Sequence, residues 1–414
     1  MGYIFYQEQS PKPLVSLKSF STTLLKKQTS AFVFFEDIKK IYGPLILKKD
    51  KIVFSNRRGL AVSEDFYIPL HKGKTTKITS QQEQLLLQDL YKINQPQLTP
   101  NVLHLSLNKK MLTLSLTNTY PTFFVYKTKY SVDLKKIQSL SQNIQDTICQ
   151  KNQEIYSLQL KSLQLYGQSL FRKIFQEKFF STYFEEHKDF YLSFHLSSSL
   201  FFVPFEFLFD NNFLFLNSPF SRLMTQHPSS PIAYKYLSFG FFSFKNRTFI
   251  KENQNIQKLF TKKNKYSSLY VFNKKLQYKI LKEHKWVHFT GHSINSKSSF
   301  IWKEKKSKIF ISDYEFLPEF IFSNSCNADF FSKNSYENFF KLFHSNLLAW
   351  LGSLVPILKE ESSFAYLFYS NLLKKQTIGR ALLNTKQFFY ENNNPLWMQY
   401  TLLGNPLLKL DYDK

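Results

Sequence analysis

The C-terminal half of the chain predicts a doubly wound, mostly parallel α/β sheet with helices on both faces. Three observations carry this. Strand-like and helix-like segments alternate from Tyr236 to Phe289, as they do where parallel strands are joined by crossover helices. Two later runs, Trp286–Thr290 and Glu319–Ser323, are short, aromatic and β-branched almost throughout, the composition of strands buried on both faces. Both runs stop at small and polar residues, the first at Gly291-His292-Ser293 and the second at Asn324-Ser325-Cys326-Asn327.

The elements follow in order. Residues 1 to 100 form a small α+β module or an extension on the main body. Short β-like runs (Ala31–Phe35, Pro44–Leu47, Ile52–Phe54, Phe66–Leu70) precede a Gln-rich helical piece, Gln81–Ile93, and a linker with two prolines, Gln95–Pro100. Residues 102–132 alternate as a hairpin or meander, with Leu103, Leu105 and Leu107 on one face and a turn at Asn108-Lys109-Lys110. Leu134–Leu170 carries helical spacing, and Cys149 within it is expected to be a buried or half-buried structural thiol. Glu206 lies between Phe205 and Phe207; an isolated carboxylate buried there would be costly, so a partner is expected.

His227-Pro228-Ser229-Ser230-Pro231 marks a boundary, which divides the chain into 1–100, 101–228 and 229–414. Tyr236–Phe242 opens the last part as a strand, followed by helical Glu252–Phe260, strand Ser268–Phe272 and helical Lys274–Glu283. Lys303–Lys308 is a basic run that reads as a surface turn or hairpin. Asn338–Leu348 is expected to be a helix, 349–357 a strand, and Glu360–Leu373 and Gly379–Glu391 helices.

Composition narrows the function classes. The 414 residues suffice for two or three domains with sizeable cores. A net charge of +25 raises nucleic-acid binding as an alternative. Yet the lysines are scattered in pairs such as Lys26-Lys27, Lys262-Lys263 and Lys374-Lys375, and six of the 55 basic residues are Arg, the preferred base reader. A dedicated nucleic-acid role is therefore disfavoured. Two widely separated cysteines imply no disulfide framework, the N-terminus has no signal-peptide pattern, and the most apolar window (Ser199–Leu216) holds Pro204, Glu206 and Asp210. A soluble, cytoplasmic protein with no membrane association is the expectation.

The two buried runs carry the chemistry. In open parallel sheets, ligands sit beyond the carboxyl ends of the strands. If these strands are neighbours, His292 and Cys326 leave the sheet on the same edge and face each other. Only a few per cent of a free thiol is thiolate at neutral pH, and a nearby imidazole shifts that balance. A lone cysteine and a lone histidine are more often an inert core thiol and a satisfied loop side chain. The motifs around them tip the balance.

VHFTGHS (287–293) and IFSNSCNAD (321–329) resemble the paired strand ends of the CHAT family of caspase-like cysteine peptidases, which stands with caspases, separases and gingipains. LYGQSLFRKIF, PFEFLFDNNFLFL and the C-terminal Trp397-x-x-Tyr400-x-x-x-Gly404-Asn405-Pro406 are similar to further motifs of that family, so the resemblance spans roughly 102 to 411. It implies a caspase-like fold with a degenerate, non-catalytic half in 101–228, and a cysteine endopeptidase with His292 as general base and acid and Cys326 as nucleophile. Backbone N–H groups of Ser293 and Cys326 would hold the oxyanion. The family usually has Gly where Ser293 stands, and Ser supplies the same main-chain donor if its backbone angles permit. Asn324 and Asp329 are candidate substrate-pocket residues, with helix capping as the other reading of Asp329.

The resemblance implies a protein or peptide substrate, no cofactor, and a regulatory protein partner, for which residues 1–100 are the candidate. A catalytically inactive scaffold that binds a partner is the alternative. No metal site is expected: His288 and His292 are four apart, but on a strand rather than a helix, and no third ligand has matching spacing. No Gly-x-Ser-x-Gly elbow and no phosphate-binding glycine pattern occurs.

Overall fold

The computed structural model describes residues 101–410, except 120–121, 151–155, 187–189, 225–231, 235–237, 262–266, 272–280, 297–298, 305–306, 312–316, 327–329 and 356–361. Before residue 101 it describes seven strands. The expected helix Gln81–Ile93, the linker, helical Lys274–Glu283 and Asp329 thus lie wholly or mostly outside the described residues. By internal contacts the chain divides into residues 1–104 with 113–129, and residues 105–112 with 130–414.

In the first unit, β1 (Ile4–Gln7), β2 (Ala31–Phe34), β3 (Leu45–Lys48), β4 (Lys51–Phe54), β5 (Ala61–Val62), β6 (Phe66–Leu70) and β7 (Lys74–Lys77) form a sheet in sequence order. Every neighbouring pair is antiparallel. The meander expected over 102–132 is present as β8 (Asn101–Asn108), β9 (Met111–Thr119) and β10 (Thr122–Ser131).

The second unit is a layered α/β structure. Helices α1 (Leu134–Cys149), α2 (Tyr156–Ile174) and α3 (Lys178–Glu186) lead into β11 (Leu192–Leu196), a two-residue hairpin of β12 (Phe209–Asp210) and β13 (Asn212–Phe213), and β14 (Phe220–Leu223). After β15 (Ile232–Tyr234), strands and helices alternate: β16 (Phe239–Ser243), α4 (Arg247–Thr261), β17 (Ser267–Val271), β18 (Trp286–Asn295), β19 (Phe300–Glu304), β20 (Ser307–Phe310), β21 (Phe320–Cys326), α5 (Lys333–Phe343), β22 (Ala349–Ser353), α6 (Ser362–Leu372), α7 (Ile378–Glu391), β23 (Tyr400–Gly404) and β24 (Leu408–Leu410). The main sheet runs β11-β14-β23-β22-β21-β18-β16-β17. All of its pairs are parallel except β22 with β23. This is the mostly parallel, doubly wound architecture that the apolar runs predict. Because β23 sits between β14 and β22, the segments before and after residue 228 share one sheet.

Three expectations need correction. Strand β18 does not stop at Thr290 but continues to Asn295, where it pairs with β19. The Gly291 taken as a terminator instead makes room for an aromatic ring: a Cβ there would come within 2.4 Å of Phe289 Cζ. The helix expected from Asn338 begins at Lys333, where the Ser332 hydroxyl accepts from Ser335 N at 3.1 Å as an N-cap. Cys149 is exposed. On α1 the core-facing positions are Ile137, Leu140, Ile144 and Ile148, and the next residue turns about 100° away from them.

The partner expected for Glu206 is Arg222 of β14. Its Nε and Nη2 donate to the two carboxylate oxygens at 2.7 and 2.5 Å, and the guanidinium also donates to the carbonyls of Phe201 and Val203 at 2.9 Å. Thr401 of β23 adds a third donor to Glu206 at 2.7 Å. Both charges are fully buried, and four phenylalanine rings surround the guanidinium at 5.3–5.9 Å. Burial is the largest single influence on the Glu206 carboxyl and pushes its pKa up. The Arg222 charge and the three donors outweigh it, holding the group below the usual carboxylate range.

Close by, Lys386 of α7 is also fully buried, its ammonium donating to the Tyr400 carbonyl and lying 3.0 Å from the centre of the Phe215 ring. Burial drives its pKa well below the ordinary lysine value of 10.5, with Glu206 pulling the other way. The unfolded chain therefore binds the proton more tightly between the folded value and 10.5, and stability contributed by this group rises with pH across that window. Lys386→Met should flatten that rise. At pH 7 it should change stability by between zero and about +2 kcal/mol, the gain from deleting a buried charge being offset by an orphaned carbonyl. Urea unfolding of both proteins at pH 7 and pH 9.5 measures this.

Candidate active site

The site is built on two adjacent parallel strands. Between β18 and β21 the rungs run Trp286–Phe320, Val287–Ile321, His288–Phe322, Phe289–Ser323, Thr290–Asn324, Gly291–Ser325 and His292–Cys326. His292 and Cys326 are thus direct partners on the last parallel rung, their backbones about 4.8 Å apart. Cys326 is the final residue of β21. His292 is exposed, with the Phe249 ring of α4 edge-on against its imidazole at 5.4 Å.

Side-chain networks on both faces of the sheet fix this rung in register. On one face, Trp302 Nε1 donates to Ser323 Oγ at 3.0 Å, Ser323 and Ser325 share a hydrogen bond of 2.7 Å, and Ser325 Oγ donates to Ser293 Oγ at 3.0 Å. The indole of Trp302 stacks on Phe289 with centroids 4.0 Å apart. Ser293 is therefore a buried strand residue opposite Trp302 in the β18–β19 ladder. It is not among the described residues with positive φ.

On the other face, Glu252 of α4 reaches under both strands. Its Oε1 accepts from Asn324 Nδ2 at 2.6 Å and from Thr290 Oγ1 at 3.1 Å, and lies 3.2 Å from His288 Nε2. Thr290 and Asn324 are themselves partners, one alternation before His292 and Cys326. Asn324 Oδ1 accepts from the Tyr400 hydroxyl at 2.6 Å, and the Tyr369 hydroxyl is 3.1 Å from His288 Nδ1. Burial, with the Glu252 charge second, raises the Tyr369 pKa well above the ordinary phenol value, so this hydroxyl keeps its proton. His288 Nε2 lies 3.0 Å from Thr290 Oγ1 as well as 3.2 Å from Glu252 Oε1.

Every member of this network is buried. His288 is part of the core, whereas His292 meets solvent. The Asn324 amide, a candidate pocket group by sequence, is engaged inside the sheet with Glu252 and Tyr400. Asp329 lies outside the described residues. Among the described residues no group of three or more His, Cys, Asp or Glu could hold a metal ion, and no helix is long and apolar enough to cross a membrane.

Glu252, Tyr369 and Tyr400 are the site residues that sequence reasoning missed. The signal for Glu252 lay in helical spacing: Ile256 and Phe260, four and eight residues on, are core positions, which puts Glu252 on the inward face of α4. Glu252→Ala removes the acceptor shared by Thr290, His288 and Asn324. It should cost about 2–4 kcal/mol in chemical denaturation, with Glu252→Gln recovering part of the loss because its carbonyl still accepts.

The family model described as Peptidase family C25 matches residues 234–411. Among solved structures, the chain is similar to the Saccharomyces cerevisiae separase–securin complex, with a TM-score of 0.50 and 12% sequence identity over 80% of this chain and 32% of that one. The chain thus spans about a third of the length of that relative. No curated protein matches. The fold is α/β and caspase-like, and the family match supports a cysteine peptidase domain of the caspase-like clan.

Proposed function

We propose that the chain is a cysteine endopeptidase working through a Cys326–His292 dyad. The observation that carries the reading is the parallel rung joining these two positions. In the proposed reaction His292 takes the thiol proton as Cys326 Sγ attacks the scissile carbonyl. The backbone N–H groups of Ser293 and Cys326 stabilise the oxyanion. The tetrahedral adduct collapses to a thioester as His292 delivers its proton to the leaving amine. His292 then activates water, which hydrolyses the thioester and releases the acid product.

The finer kinship, to the CHAT family, belongs to the proposal and rests on the strand-end motifs together with the C-terminal Trp397, Tyr400 and Gly404-Asn405-Pro406. A regulatory protein partner is proposed on the same footing: the separase it resembles is in complex with securin. The first hundred residues are the candidate regulatory segment. Cleavage of a mixed-sequence peptide library by the purified chain tests the reading. Scission that is absent from Cys326→Ala supports it; a library left intact by the wild-type chain favours the inactive scaffold.

A further inference from the structure

The row of partners that joins His292 to Cys326 does not end there. Across β19, His292 pairs with Lys303, and across the β19–β20 hairpin Lys303 pairs with Lys308. One transverse row therefore runs through positions 326, 292, 303 and 308. The adjacent row, Ser293–Trp302–Ile309, is buried. Alternation then puts His292, Lys303 and Lys308 on the opposite face, where His292 and Lys308 are exposed and Lys303 half-buried.

Two lysines directly opposite one another repel, and a sheet gains nothing from the pairing by itself. Among the described residues neither is in an ion pair. The arrangement invites an anion between and above them. We propose that the substrate of this site carries an acidic side chain about three residues from the scissile bond, held by Lys303 and Lys308. The inference rests on the peptidase reading above. The spacing follows from geometry: Lys303 and Lys308 lie two and three strands, about 10 and 14 Å, from the position of the nucleophile, and an extended peptide laid along the row rises about 3.3 Å per residue.

Two otherwise identical fluorogenic peptides, with Glu or Gln at the third residue on either side of the cleaved bond, test this. The wild-type chain should show a kcat/KM about tenfold higher for the Glu peptide on one side at 50 mM salt, and the preference should shrink at 500 mM. The preference should vanish in Lys303→Met/Lys308→Met and reverse in Lys303→Glu/Lys308→Glu. An unchanged ratio in these variants, or no preference in the wild type, would overturn the inference. So would self-association of the variants at an unchanged ratio, because that result assigns the lysines to guarding the β20 edge. Cys326→Ala assayed on the same peptides separates the two claims. Persistent cleavage sinks the peptidase reading, whereas cleavage lost in Cys326→Ala but indifferent to the lysines sinks only the acidic preference. No cleavage of either peptide by the wild type counts against both.

Discussion

Cys326→Ala is expected to lower kcat by about 10⁴-fold or more, since removing a nucleophile leaves only binding and oxyanion stabilisation. His292→Ala should cost about 10²–10⁴-fold, the range supplied by a positioned acid–base group. Neither loss should come with unfolding. His292 is exposed, and Cys326 is the last residue of its strand. Two internal controls sharpen the result. Cys149→Ala changes an exposed thiol at the end of α1 and should leave kcat within about twofold. His288→Ala, four residues from His292, should lose stability rather than chemistry alone, because it vacates a buried position shared with Glu252, Thr290 and Tyr369. Steady-state cleavage rates and thermal melts of the four variants, taken together, decide the assignment.

The second large effect concerns the fold. Glu206→Ala should destabilise the protein by about 3–5 kcal/mol, because it leaves Arg222 charged, buried and unpaired. The double replacement Glu206→Leu/Arg222→Met should cost far less, since it removes both charges together. The pH signature follows from the depressed Glu206 pKa. Its contribution is fully present above the unfolded value of about 4.5 and is lost as pH falls through the lower folded value. Wild-type stability should therefore drop more steeply than that of the double variant below pH 4.5. Urea midpoints between pH 3 and pH 7 measure the difference.

The fold was legible where strands are buried on both faces, because Trp286–Thr290 and Phe320–Ser323 are mostly aromatic and β-branched. The strand ends were less legible. Gly291 reads as a stop by composition, yet its missing side chain accommodates Phe289, and only the three-dimensional packing reveals that. His292 and Cys326 could be paired from sequence because one rule about strand ends brings them together. The Glu252 brace could not, since its partners lie 36, 38 and 72 residues away on two strands. The Lys303–Lys308 run looked like an unremarkable turn. Its alignment with His292 depends on hairpin register, which a basic run between two strands does not specify.

The central claim, that one rung of two parallel strands delivers one thiol to one imidazole, is tested most directly by covalent labelling. The wild-type chain, treated with a peptidyl acyloxymethyl ketone and digested for mass spectrometry, should carry the adduct on Cys326 while the exposed Cys149 carries no label, and His292→Ala should suppress the labelling. Adducts on Cys149 alone, or labelling of Cys326 undiminished in His292→Ala, would contradict it.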